Sequence, residues 1–289
     1  MDQARLHLEL SLYAQRRLRP ALPAAPAPDE SRSRELEAEF LEAERAAVAA
    51  DAAQAPDEPE AFVEWFEQLR EAGPGQGDPL FPWLAERASL AQMRWFLAQE
   101  VAGEAGFDDL VALTQVRMPV QAKLELARNY WDEMGRGRQA GMHGPLLSNL
   151  ARALSAEAEL ATTVWEALAL ANLLVGLAFD RRYAYHSVGA LGAIELTAPT
   201  RVGYVDRGLA RLGVPKAARR YFTLHAILDV QHSAAWNREV LAPLVAEVPQ
   251  AARALAEGAL MRLRAGARCF DRYRRELWRS EPAELAEFR

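Results

Sequence analysis

Apolar residues along this chain recur at helical spacing, and almost nothing recurs at strand spacing. Long Ala/Leu/Arg/Glu stretches repeat with a period near 3.6 residues. Ile194 and Ile227 are the only isoleucines, and there is no alternating β-branched run. Breakers at Pro119, Gly135–Gly144, Pro199, Gly213–Pro215 and Pro243–Pro249 punctuate the pattern. They divide it into expected helices over residues 88–103, 106–116, 120–134, 143–154, 157–178, 180–197, 201–212, 215–240 and 249–278. The expected fold is an all-α bundle. With 51% hydrophobic and 26% charged residues, disorder over the whole length is excluded.

The N-terminal part reads differently. Residues 19–30, RPALPAAPAPDE, form a Pro/Ala-rich linker. Residues 31–54 have helical propensity but few large apolar groups, as a solvated helix or mobile arm would. A second break, GPGQGDP, covers residues 73–79. The expected division is a partly disordered arm and linker over residues 1–58 and a helical domain over 59–282. The whole chain's net charge of −6 gives no basic footprint for nucleic acid. Asp2 and Glu9, with no long apolar core between them, do not make an export signal. Leu160–Phe179 is long enough to span a bilayer, but its alanines, Asn172 and lack of interfacial anchors favour a helix buried on all sides. No membrane is therefore expected, and a cytoplasmic location fits a chain whose only cysteine is Cys269. That single cysteine excludes an internal disulfide, a thiolate zinc site and an iron–sulfur cluster.

The chemistry gathers around a few polar groups on apolar faces. In RYFTLHAILDVQHSAAW, His225, Asp229 and His232 stand at i, i+4 and i+7, within a narrow stripe of one helix. Tyr221, Phe222, Leu228 and Trp236 share that face. Burying such groups unpaired costs several kcal/mol. A divalent metal would satisfy them, as would a His–Asp–His hydrogen-bond cluster. Glu195 shares a face with Ala184, Val188 and Leu191, beside Gly192. Glu133 follows Leu126, Asn129 and Tyr130 on one stripe, with Asp132 as its solvated neighbour. His143 would lie about 15 Å from Glu133 on one continuous helix. The glycines at 135, 137 and 141 argue instead for a break that brings it back. Glu100 and Glu104 form an i, i+4 pair near Met93, Phe96 and Leu97, and His186 sits a turn from Tyr183 and Tyr185. There is no HExxH, GxSxG or GxxxxGK[ST] motif, and no GxGxxG follows a strand, so no nucleotide site is expected.

In order, Glu133, His143, Glu195 and His225-x3-Asp229-x2-His232 resemble the haem-oxygenase-like diiron oxidase family, also called iron-containing redox enzymes. The likeness rests on NYWDEMGRGRQAGMH, similar to the family's Asn-x-x-Asp-Glu-x-Gly followed by a histidine. It rests also on SVGALGAIEL, similar to Gly-x-Leu-Gly-x-x-Glu, and on the H-x3-D-x2-H run before Trp236. Together these cover about residues 90–240. The resemblance implies a haem-oxygenase-like bundle of about seven core helices with an N-terminal helical extension. It implies two irons, no haem, and O2 activation. The ligands would be Glu133, His143, Glu195, His225, Asp229 and His232, with a further glutamate supplied by Glu100 or, failing that, Glu104. The family's reactions include N-oxygenation, oxidative decarboxylation of fatty acids and C–C scission, and the motif does not choose among them.

The expected activity is therefore that of a non-haem diiron oxidase or oxygenase. Its partners would be O2 and a small amino-acid, amine or fatty-acid substrate in a biosynthetic route. Tyr130, Trp131, Tyr185, His186, Tyr221 and Arg181 or Arg182 are the candidates to line its pocket. A homodimer is compatible, since related bundles commonly dimerise. Two other readings compete. One is a metal-free bundle enzyme resembling thiaminases or the pyrroloquinoline quinone synthase group, with histidines as acid and base. The other is a helical interaction module using the acidic arm at 31–54.

Overall fold

The computed structural model describes residues 2–22, 29–103 and 106–279, apart from the side chain of Ile227. Glu104, residues 23–28 of the linker and residues 280–282 lie outside the described residues. Among those described there is no strand, only an isolated antiparallel bridge between Met134 and Met142. The elements run α1 (Gln3–Leu18), α2 (Ser31–Ala52), α3 (Pro59–Ala72), α4 (Leu80–Glu86), α5 (Leu90–Gly103), α6 (Phe107–Thr114) and α7 (Val120–Glu133). They continue with α8 (His143–Leu154), α9 (Trp165–Phe179), α10 (Ala184–Arg211), α11 (Arg220–Trp236), α12 (Ala242–Glu247) and α13 (Ala251–Arg279). The fold is an all-α bundle.

α10 is its axis. It packs along α13, α11, α4 and α9. Close approach to α13 depends on two glycines. A Cβ on Gly189 would lie 1.9 Å from the Leu255 carbonyl oxygen, and one on Gly258 would lie 1.9 Å from that of His186. Gly192, in the same helix, leaves room for the Trp236 indole of α11. The expected break at Pro199 does not occur, for α10 is continuous through it. A helix-interior proline costs about 3 kcal/mol locally, and burial of both flanks of α10 outweighs that. At the other expected end, α11 runs into a π-helical turn, Asn237–Leu241, that leads to Pro243 at the start of α12. The wider turn accommodates a residue that lacks an N–H.

The apolar run at 160–179 is resolved as burial. Its helical part is α9, buried at nearly every position from Glu166 to Ala178 and flanked by α1, α13, α5 and α6. No helix among the described residues is long and apolar enough to cross a membrane. The helix begins later than the expected residue 157. Residues 156–164 are non-helical, and the Val164 N–H donates to Gln99 Oε1 (2.8 Å).

Residues 31–54 are not a solvated or mobile arm. α2 lies on α13, and α1 lies on α9. The few large groups of α2, among them Leu36, Phe40, Leu41 and Val48, fall on one stripe and are all buried. A sparse stripe suffices because every member reaches the body. α1 is locked by His7, which stacks on Trp165 (5.7 Å between rings) and meets the edge of Phe40 (4.8 Å). Asn172 Nδ2 donates to the His7 carbonyl (2.9 Å), and Ser11 Oγ donates to Asn172 Oδ1 (3.1 Å).

Candidate metal centre

α7, α8, α10 and α11 bring their polar stripes to one point inside the bundle. The turn between α7 and α8 makes this possible. After Glu133 the chain passes through Gly135 (φ +61°), Arg136 (φ +54°) and Gly137 (φ +77°), conformations that favour glycine. Gly135 lies against Gly141 so closely that a Cβ would come within 2.4 Å of the Gly141 carbonyl carbon. The reversal starts α8 at His143 and sets its Nδ1 2.7 Å from Glu133 Oε2.

His143 Nδ1 also lies 3.1 Å from His225 Nε2. The other nitrogen of His225, Nδ1, donates to the Tyr221 carbonyl (2.8 Å), which points Nε2 into the cluster. Glu133, His143 and His225 thus form one donor group, with one ligating atom from each within 4.8 Å of the others. Glu133, Glu195 and His232 form a second group by the same measure. Glu133 belongs to both. Glu195 accepts from Asn129 Nδ2 (2.6 Å) and lies 3.6 Å from His232 Nδ1. His232 Nε2 is held by Asp132 Oδ2 (3.2 Å). Asp229 lies outside both groups but beside them. It is buried, and its Oδ1 meets no partner.

Electrostatics mark the cluster as one short of positive charge. Burial pushes the Glu133 carboxyl up to about 8, with Glu195 adding to the rise and His225 opposing it. Burial, then the charges of Glu195 and Glu133, pushes Asp229 up to about 10. Burial lowers His143 to about 4 and also depresses His225. Burial acts downward on His232 too, but Glu195 and Asp132 override it and raise that imidazole to about 9. Three carboxylates and three imidazoles converge, and one sealed oxygen among them, Asp229 Oδ1, has no hydrogen-bond partner. Oxygen and imidazole donors with no thiolate suit iron, and Glu133 is common to both groups. The residues present fit that metal.

A cavity of about 140 Å3 reaches the cluster on the side of Glu133, Glu195, His225 and Asp229. Tyr221 lines it, as expected. Tyr130, Tyr185 and His186 do not. Tyr130 and Tyr185 pack half-buried against the core. His186 lies on another face of α10, where Nε2 is 3.0 Å from Glu257 Oε2. Trp131 is exposed, Arg181 donates to the carbonyls of Leu113 and Thr114, and Arg182 pairs with Asp180 at the surface. Glu100 borders the cavity but joins neither donor group, and the charges acting on it are those of Arg201 and Arg262. Asn129 and Asp132 stand in the NYWDEMG run that carries the resemblance, but sequence alone gives neither of them a supporting contact. Their shared signal is spacing, since each sits on α7 within one turn of Glu133.

A comparison with functionally curated proteins finds no match. Among solved structures, the chain is similar to a CADD-like protein of unknown function from Nostoc punctiforme PCC 73102. The TM-score is 0.57 at 22% identity, covering 74% of this chain and 96% of that one, a likeness of fold. The sequence model of a family described as "Iron-containing redox enzyme" matches residues 94–267, a span that begins in α5, ends in α13 and holds all six converging donors. With more than half of its length matched, the chain belongs to the iron-containing redox enzyme family.

Proposed function

We propose that this protein is a non-haem diiron oxidase or oxygenase that uses O2 to oxidise a small organic substrate in a cytoplasmic biosynthetic route. The observation that carries this reading is the sharing of Glu133 by two donor groups, one completed by His143 and His225 and the other by Glu195 and His232. Iron held by these residues would supply the activation of O2 and the redox equivalents for substrate oxidation. The remaining work belongs to the chain. The Tyr221 carbonyl fixes the tautomer of His225, and Asp132 does the same for His232. Asn129 holds one oxygen of Glu195 and leaves the other to face His232. Asp229 adds a carboxylate beside both groups. The mostly apolar cavity keeps bulk water from the reacting end of the substrate.

Anaerobic titration with Fe(II) tests the reading. Two ions per chain should bind, and admission of O2 should give an optical change. Uptake of no iron, or full activity in metal-free protein with the histidines serving as acid and base, would overturn it.

A further inference from the structure

The cavity that reaches the donor groups has a second polar region. Arg201 lies six residues beyond Glu195 on α10, about 9 Å further along the helix axis. Its guanidinium sits over the Phe270 ring (5.5 Å to the centroid), and its Nη2 donates to Thr197 Oγ1 (2.7 Å). Arg262 of α13 borders the same space, and its Nε and Nη1 are sealed from solvent without any acceptor. The one carboxylate set against both arginines is Glu100. Cys269 and Tyr273 stand nearby but cannot balance the charge. Burial pushes the thiol up to about 12 and the phenol well above its usual value, so both are neutral.

Two guanidinium groups against one ionised carboxylate leave one positive charge uncompensated inside the bundle. Such a charge is costly unless an anion meets it. The rest of the cavity lining is largely apolar, including Phe81, Phe107, Leu170, Leu174, Val202 and Val205. The volume is about 140 Å3, near that of an engineered cavity of roughly 150 Å3 that admits benzene. We propose that Arg201 and Arg262 bind the carboxylate of a small monocarboxylate substrate, whose apolar remainder lies along the cavity and whose far end faces Glu133, Glu195, His225 and Asp229. One carboxylate matches one uncompensated charge, whereas a dianion would replace a buried excess of positive charge with one of negative charge. The substrate's reacting end is then the end remote from its carboxylate. The anion site follows from the arginines alone, and the role of the far end rests on the diiron reading.

Calorimetric titration of the full chain with hexanoate and its neutral analogue hexanamide tests this, with and without anaerobic Fe(II). Hexanoate should bind at least roughly ten-fold tighter, in either metal state, because charge-assisted hydrogen bonds are worth about 1.5–3 kcal/mol. Arg262→Met should weaken hexanoate by roughly ten- to hundred-fold and leave hexanamide nearly unchanged, and Arg262→Lys should restore part of the loss. Should Arg262→Met fail to fold, Arg201→Met carries the same expectation. Equal affinity for the two ligands would overturn the site. So would a preference that requires iron and survives both methionine variants, which would put the carboxylate on the metal. Hexyl phosphate binding more tightly than hexanoate would overturn the monocarboxylate assignment. A chain that prefers hexanoate through Arg262 but takes up no iron would sink the diiron reading and leave this site standing. Iron uptake without any hexanoate preference would do the reverse.

Discussion

Asp132 and Glu133 are adjacent in the chain and differ in what they touch. Glu133 belongs to both donor groups, while Asp132 reaches His232 from outside and is itself paired with Arg136. Partners of this outer kind typically contribute 10–100-fold to metal affinity. Asp132→Asn should therefore weaken Fe(II) binding by about that factor in a chelator competition, without changing the limiting number of ions bound. The convergence of Glu133, His143, Glu195, His225, Asp229 and His232 was legible because a polar group on an apolar stripe requires a partner. Asp132 was not, since neighbouring acids at a helix end read as solvated. The surroundings of Glu100 were illegible for a related reason. A buried carboxylate calls for a cation, but local sequence does not say whether that cation is a metal or a guanidinium contributed more than a hundred residues away. His7 offers a titration far from the donors. Burial, with a smaller push from Arg268, lowers it to about 4 from an ordinary 6.5. Between those values the unfolded chain takes up a proton that the folded chain resists, so stability falls as pH drops from 6.5 to 4. The loss approaches roughly 3 kcal/mol. Urea unfolding of wild type and His7→Phe across that window should show the steeper fall in wild type, and parallel curves would contradict it.

Among the elements, α10 shows where local rules yield to packing. Pro199 and the small residues around it predict a break, yet the helix continues because α13, α11 and α4 hold its flanks. The break between residues 134 and 143 was legible. Gly135 and Gly137 occupy left-handed backbone, which glycine adopts without the steric penalty that a Cβ brings. Two substitutions separate packing from propensity. Gly258→Ala would drive a methyl into the His186 carbonyl and should cost at least about 2 kcal/mol in denaturant unfolding. Gly203→Ala, within α10, meets nothing within 4 Å and should stabilise by about 0.5–1 kcal/mol. A neutral Gly258→Ala would mean that α10 and α13 do not cross as closely as described.

For the molecule as a whole, the donor groups set a cost that the apolar core must carry. The described helices around them bury large residues such as Trp236, Phe66 and Tyr273, while Glu133, Glu195 and Asp229 crowd together at the centre. Like charges brought together out of water repel, and without a cation their protons are the remaining relief. A metal that binds only the folded arrangement stabilises it by mass action, by about 2.7 kcal/mol at a free concentration a hundred times the dissociation constant. Fe(II) should therefore raise the melting temperature of the wild-type chain by several degrees in anaerobic calorimetry. Asp229→Asn should act in opposite directions on the two forms. It removes one of the crowded charges, so the metal-free variant should melt at or above the temperature of metal-free wild type. It also removes a carboxylate beside both donor groups, so the increment given by iron should shrink. Equal melting temperatures for wild type with and without iron would break this linkage, because a centre built from these six side chains cannot bind its ions tightly in the folded state alone and leave the folding equilibrium where it was.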